Sequence, residues 1–193
     1  MSTENAEVPQ EEEKQKQESE VQQSSGTSAD TTKTRTFSDV TSAWKAISAD
    51  NPQINWCLFG VDKKIELEFK IAGQNGFEEL TKYLKGNLNK SSSSELLFGL
   101  LRVNSNDRGN SKRAKFVFIR FVGSNVSVML KGKLTPKLGK IGDAFPVKHL
   151  TYDLTEDLVG FTIDAIAREM LRVGGAHKPD SFDFGPNQTF NCQ

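Results

Sequence analysis

Basic side chains concentrate in two stretches of this chain, and both contain the residue types that bind anionic partners. The first stretch leads into an apolar segment over residues 115–122 and contains Lys112, Arg113 and Lys115. The second follows that segment and comprises Lys131, Lys133, Lys137 and Lys140. Its last three lysines lie at i, i+4 and i+7, which is one face of a continuous helix. Charge runs usually form a solvated face, so an anion-binding surface and a merely solvated surface both remain open.

Residues that could support catalysis are not grouped in any recognisable pattern. The two histidines, His149 and His177, are isolated from the cysteines, and no metal-binding spacing is present. The glycines near Lys131 and Lys140 lack the strand context of a phosphate-binding loop. Without an activated nucleophile or a paired acid and base, we expect a binding protein rather than an enzyme, with no cofactor and no metal.

The two cysteines give no sign of a disulfide framework. Cys57 lies in an apolar run and is predicted to be a buried thiol, while Cys192 is next to the last residue. We find no signal-peptide pattern and no apolar run long enough to span a membrane. By elimination, we expect a cytoplasmic protein. We also expect a monomer, with neither a membrane nor nucleic acid as its partner.

Charge and composition divide the chain into a tail and a domain. Residues 1–30 carry eight acidic and two basic side chains, a net charge of −6. The chain as a whole has net charge zero, so the remainder carries +6. Because residues 1–33 are rich in Glu, Gln and Ser and have few apolar side chains, we predict that they are disordered. The domain is predicted over residues 34–176, followed by a flexible C-terminal tail over residues 177–193.

Hydrophobic periodicity predicts the elements of the domain. Residues 37–47 and 77–84 have helical spacing, and residues 54–59 and 65–71 are predicted to form a hairpin. Residues 96–103 and 115–122 are apolar on both sides, as in central strands covered on both faces. A broken helical region from Asn125 to Phe145, a strand over 146–152 and a helix over 155–173 complete the order α-ββ-α-ββ-α-β-α. This order predicts an α+β domain with a central mixed sheet flanked by helices on both faces.

Three motifs resemble those of the coactosins, a group within the ADF/cofilin homology family. Residues 111–119, Ser-Lys-Arg-Ala-Lys-Phe-Val-Phe-Ile, are similar to the central signature of that group. Residues 55–59 resemble its first strand, and Arg172-Val-Gly-Gly-Ala resembles its ending after the last helix. The resemblance extends over residues 34–176 and implies the cofilin-like (ADF-homology) fold.

The resemblance also implies a function and a set of contact residues. It implies binding to the sides of actin filaments, in the actin cytoskeleton, without catalysis. The implied contacts are Lys115, supported by Lys112 and Arg113; Arg172 before the paired glycines; and the lysines Lys131, Lys133, Lys137 and Lys140 of the helical region. Pro136 interrupts that region, and the acidic tail replaces the short N-terminal arm of cofilins. Both departures favour side-binding over strong severing or depolymerisation.

Two other partners remain open from the sequence. A module of the same fold could bind the Arp2/3 complex or another cytoskeletal partner, as glia maturation factor does. The same lysines could instead bind nucleic acid. That alternative is weaker, because no aromatic residues are evident on exposed strand faces beside them.

Overall fold

The computed structural model describes residues 35–88, 93–107, 111–176 and 178–192. Its elements are, in chain order, α1 (Val40–Ser48), β1 (Trp56–Val61), β2 (Leu67–Gly73), α2 (Gly76–Leu88), β3 (Leu96–Asp107), β4 (Ser111–Val122), α3 (Val128–Leu134), α4 (Leu138–Asp143), β5 (Leu150–Leu154), α5 (Ile163–Val173), β6 (Ser181–Asp183) and β7 (Thr189–Asn191). The predicted order is confirmed as far as α5. The tail predicted over residues 1–33 lies outside the described residues.

The strands form one mixed sheet, as predicted. Five strands lie side by side in the order β2-β1-β3-β4-β5, and β6 pairs with β3 and β7. The β4–β5 pair is parallel, whereas the other pairs are antiparallel. The long β3–β4 hairpin runs in register from Leu96 opposite Val122 to Asp107 opposite Ser111.

Helices cover both faces of the sheet, which explains why β4 is apolar on both sides. Alternate residues of a strand point to opposite faces. Val117 and Ile119 pack in the core beneath α2 and α5, whereas Phe116 and Phe118 pack in the core beneath α1 and the α3–α4 region. We call these the α5 face and the α1 face of the sheet. Within the described ranges, no helix combines the length and apolar character needed to cross a membrane.

The last helix begins later than its sequence pattern predicted. The sequence predicts a helix over residues 155–173, but α5 begins at Ile163 and its cap is Thr162. The Thr162 hydroxyl accepts a hydrogen bond from the Ala165 backbone N–H at 3.1 Å. Before it, Leu158 and Gly160 have positive φ angles of 53° and 78°, which a helix cannot contain.

The flexible tail predicted for residues 177–193 is also corrected. Residues 178–192 contain a β-hairpin, β6–β7, whose first strand extends the sheet beside β3. Phe182 and Phe184 are buried, with 3% and 0% of their surface exposed. The Phe184 carbonyl accepts the Phe77 N–H at 2.9 Å. A side chain at Gly76 would lie 1.9 Å from that carbonyl oxygen, so glycine is needed there. The folded region therefore continues to Cys192.

Candidate functional site

The three cations predicted as contacts at the start of β4, which are Lys112, Arg113 and Lys115, lie on two different faces of the sheet. Arg113 and Lys115 have the same parity as Val117 and so belong to the α5 face. Lys112 has the parity of Phe116 and belongs to the α1 face. Across the hairpin, Arg113 lies opposite Ser105 and Lys115 lies opposite Val103.

Arg113 and Lys115 differ in how their charges are compensated. The Arg113 Nε lies 3.3 Å from the Asp107 Oδ2, an ion pair in which the arginine side chain is 58% exposed. Lys115 is half-buried and makes no ion pair within the described part of the chain. Of the two, Lys115 therefore offers the uncompensated charge.

His149 lies beside these cations and stays neutral near pH 7. Its Nδ1 accepts a hydrogen bond from the Phe116 backbone N–H at 3.0 Å, so a neutral ring carries its proton on Nε2. Burial, and secondarily the positive charge of Lys115, lower the pKa of His149 below its ordinary value of 6.5. This proximity is not evident from the sequence, because the β4–β5 pairing that creates it is not local.

The titration of His149 yields a testable prediction. Its pKa is lower in the folded chain than in the unfolded chain, so the unfolded state binds the proton more readily. His149 therefore makes its full contribution to the free energy of unfolding above about pH 6.5. This contribution decreases as the pH falls from the pKa of the unfolded chain toward the lower pKa of the folded chain. NMR titration of the imidazole should give a midpoint below 6.5.

Replacing Lys115 with glutamine should raise the His149 midpoint toward 6.5 without reaching it, because burial is the larger cause of the lowered pKa. The second histidine signal, from His177, serves as the reference within the same sample. A His149 midpoint at or above 6.5 would contradict the assignment of a buried, neutral ring.

Arg172 lies at the C-terminal end of α5, and its charge is partly compensated. Its guanidinium donates to the Glu169 carboxylate at 2.7 Å, with 71% of the arginine side chain exposed. The hydrogen bond to Glu169 raises the pKa of Arg172. The next two residues, Val173 and Gly174, line the same cavity as Arg113 and Lys115. We call Arg113, Lys115 and Arg172 the strand-end group.

The lysines of the helical region all lie away from its buried stripe. Leu134, Ile141 and Phe145 are buried against the α1 face. The predicted interruption at Pro136 is confirmed, because Thr135–Lys137 is a 3-10 turn between α3 and α4. We call the four cations the helical group; they are Lys131, Lys133, Lys137 and Lys140.

Two members of the helical group donate a hydrogen bond to a backbone carbonyl, and the other two make none within the part of the chain that the structure describes. The Lys131 ammonium donates to the Ser124 carbonyl at 3.0 Å, and the Lys137 ammonium donates to the Lys64 carbonyl at 2.6 Å. Lys133 and Lys140 are exposed and make no hydrogen bond or ion pair within the described ranges. These two side chains are therefore the most available to a partner.

The structure does not bring the two groups together on one face. The strand-end group lies on the α5 face, whereas the helical group lies over the α1 face, which Lys112 shares. Near the start of α3, Val128 and Met129 are 87% and 72% exposed. The arrangement can thus offer an anionic partner two separate basic surfaces.

The two cysteines are the remaining reactive side chains considered for the site. Cys57 is buried as predicted, and burial raises the pKa of its thiol to about 12. Cys192 is a free thiol, and burial also raises its pKa. Among the residues that the structure describes, no three His, Cys, Asp or Glu side chains are grouped to hold a metal ion.

Comparison with known proteins identifies both sequence and structural relatives. The family described as cofilin/tropomyosin-type actin-binding protein matches residues 34–159. Coactosin of Dictyostelium discoideum is 34% identical over 97 residues, which span 50% of this chain and 62% of that protein. This curated relative is therefore matched over less than two thirds of its length.

Solved structures confirm the fold. Coactosin from Entamoeba histolytica superposes with a TM-score of 0.58 at 24% identity, covering 72% of this chain and 96% of that one. Human coactosin-like protein gives a TM-score of 0.55 at 20% identity, covering 72% and 88%. At these identities the likeness establishes the architecture alone.

Proposed function

We propose that this chain, which belongs to the family of cofilin/tropomyosin-type actin-binding proteins, binds the sides of actin filaments through its basic side chains. It acts as a monomeric binding protein of the cytoplasm and the actin cytoskeleton, not as an enzyme. The observation that carries the proposal is Lys115, a half-buried ammonium near the start of β4 that makes no ion pair with any residue the structure describes.

The separation of the two basic groups supports a filament rather than a single actin subunit as the partner. A filament offers neighbouring subunits side by side, so a protein with basic surfaces on two faces can contact two of them at once. Exposed ion pairs contribute only about 0–1 kcal/mol each, so several must act together. The strand-end and helical groups supply seven cations between them.

The helical region supports side-binding without strong severing. Its 3-10 turn at Thr135–Lys137 divides what could have been one rigid helix into two short ones. A divided element is less suited to wedging between filament subunits than a single long helix. The exposed Val128 and Met129 at the start of α3 add a small apolar contact beside the lysines.

Co-sedimentation with purified filaments at increasing salt tests the proposal. Actin filaments are strongly anionic, and salt screens charges over a Debye length of about 10 Å at 0.1 M. The chain should pellet with filaments at low salt, and its affinity should fall steeply toward physiological salt. A chain from which residues 1–33 are removed is the control for competition by the acidic tail.

Three results would contradict the proposal or a part of it. No pelleting at any salt concentration would exclude filament binding and would direct the search to the Arp2/3 complex or another cytoskeletal partner. Pelleting that is insensitive to salt would mean that an apolar contact around Met129 carries the interaction and that the basic groups are incidental. Shortening of filaments by the bound chain would refute the absence of severing.

A further inference from the structure

A cavity of about 310 Å³ opens beside the strand-end group. It lies between the β3–β4 hairpin, the C-terminal end of α5 and the segment leading into β6. Its polar lining residues are Ser105, Arg113, Lys115 and His149. Its apolar lining residues are Met170, Val173, Pro179 and Phe182. A cavity lined by both polar and apolar residues suits a ligand that has both characters.

The polar lining residues of the cavity present hydrogen-bond donors. Lys115 carries three donor hydrogens and accepts nothing. His149 uses Nδ1 to accept the Phe116 N–H, so its remaining nitrogen is a donor. Arg113 pairs with Asp107 through Nε, and its guanidinium has further N–H groups. A cavity lined by several donors favours a ligand that accepts hydrogen bonds, and an anion does so best.

Ser105 provides an independent observation that points to a ligand. Its side chain is 0% exposed and its hydroxyl has no hydrogen-bond partner among the described residues. It lies opposite Arg113 on one side and Phe182 on the other, and all three residues line the cavity. A buried hydroxyl without a partner is costly, and a ligand oxygen in the cavity would give it one.

The net charge of the cavity indicates how much negative charge the ligand carries. Asp107 compensates Arg113, and His149 is neutral, so among the described residues that line the cavity Lys115 alone has no compensating charge. A singly charged group matches this balance, whereas a doubly charged phosphate would exceed it. Among the apolar lining residues, Val173 is 48% exposed, an apolar surface that a ligand would cover.

We propose that this cavity binds a carboxylate that carries a small apolar group. The carboxylate accepts hydrogen bonds from Lys115, the Ser105 hydroxyl and His149, and the apolar group packs against Met170, Val173 and Phe182. Two sources share this chemistry: a free organic acid, and the C-terminal carboxylate of a peptide that ends in an apolar residue.

The test uses 3-phenylpropionate as the probe and follows backbone amides of the full chain by NMR. We expect saturable shifts at Ser105, Lys115 and Val173. The neutral amide of the probe, and acetate, should each bind at least about tenfold more weakly, because each lacks one half of the ligand. Equal binding of the acid and its amide, tighter binding of phenyl phosphate, or no shifts at these amides would overturn the proposal.

A second comparison distinguishes the two sources. A tripeptide ending in phenylalanine with a free carboxylate is compared with the same peptide carrying a C-terminal amide. Tighter binding of the free peptide than of 3-phenylpropionate supports a protein terminus, and the reverse supports a small acid. If neither the peptide nor the probe binds, the proposal fails.

Variants test the roles of the donors. Ser105→Ala and Lys115→Gln should each weaken 3-phenylpropionate about tenfold, the usual loss for a hydrogen bond to a charged group. Lys112→Gln, the same change on the same strand but on the opposite face, should leave the affinity unchanged. Without ligand, Ser105→Ala should not lower the unfolding midpoint, since it removes a hydroxyl that lacks a partner.

A fall in the midpoint of Ser105→Ala without ligand would show that the hydroxyl already has a structural partner and would overturn its role in binding. A loss of affinity confined to Lys112→Gln would overturn the location of the site. These experiments contain no actin, so their failure would leave the filament proposal untouched, and the reverse also holds.

Discussion

Reversing the charge of Lys115 is expected to weaken filament binding at least about tenfold, which is roughly 1.4 kcal/mol. Neutralising it with Lys115→Ala should cost less, because Lys115→Glu adds repulsion from the anionic filament to the loss of attraction. The size of the effect follows from the environment of the ammonium. It is half-buried and has no ion pair in the described part of the chain, so no neighbour compensates for its loss.

Folding should survive the reversal, because the introduced carboxylate would lie on the same face as Arg113 and His149, both able to donate to it. The matched control is Lys85→Glu, an equal change of net charge at an exposed position in the last turn of α2. Lys85→Glu should reduce pelleting only slightly, through the net charge. Equal losses in the two variants would mean that overall charge matters and that Lys115 is not a contact.

The central part of the fold could be predicted from the sequence because its signals are local. The apolar runs of β3 and β4 show that both faces of these strands are covered, and the structure confirms this with α5 on one face and α1 on the other. The interruption at Pro136 was predictable because proline lacks the N–H that a continuous helix requires.

The parts of the fold that the sequence did not predict depend on contacts between residues that are distant in the chain. β6 and β7 contain three residues each, too few for a periodic signal to stand out. They are ordered by pairing, β6 with β3 and β7 with β6. The start of α5 was misplaced because the polar residues Thr155, Glu156 and Asp157 also suit a helix N-terminus. Tertiary packing places turns there instead.

The candidate site was predictable in residue type but not in arrangement. The lysines and arginines are evident in the sequence. The separation of Lys112 from Lys115 is not, because the strand predicted over residues 115–122 begins at Ser111 in the structure and so includes Lys112. The sequence does not reveal which helix covers which face, nor that β4–β5 pairing brings His149 beside Lys115. The cavity was equally hidden, since Phe182 belongs to a segment that we had predicted to be flexible.

Phe184→Ala is expected to destabilise the domain by about 3–5 kcal/mol, the usual cost of removing a buried phenylalanine ring. The ring is 0% exposed and packs edge-on against Phe77 with 6.2 Å between ring centroids. The Phe184 backbone carbonyl also accepts the Phe77 N–H at the start of α2. Loss of the ring therefore loosens the contact between α2 and the C-terminal hairpin, and chemical denaturation measures the change in unfolding free energy.

Phe190→Ala provides the matched control, since it removes the same ring from the same hairpin. Phe190 is only partly buried, so less apolar surface and a smaller cavity are lost, and the cost should be clearly below that of Phe184→Ala. The ratio of the two costs separates a packed hairpin from a flexible tail. In a flexible tail neither ring would contribute, and both variants would unfold at the same denaturant concentration as the parent chain. Such a result would restore Ala176 as the end of the domain and remove one wall of the cavity that Phe182 lines.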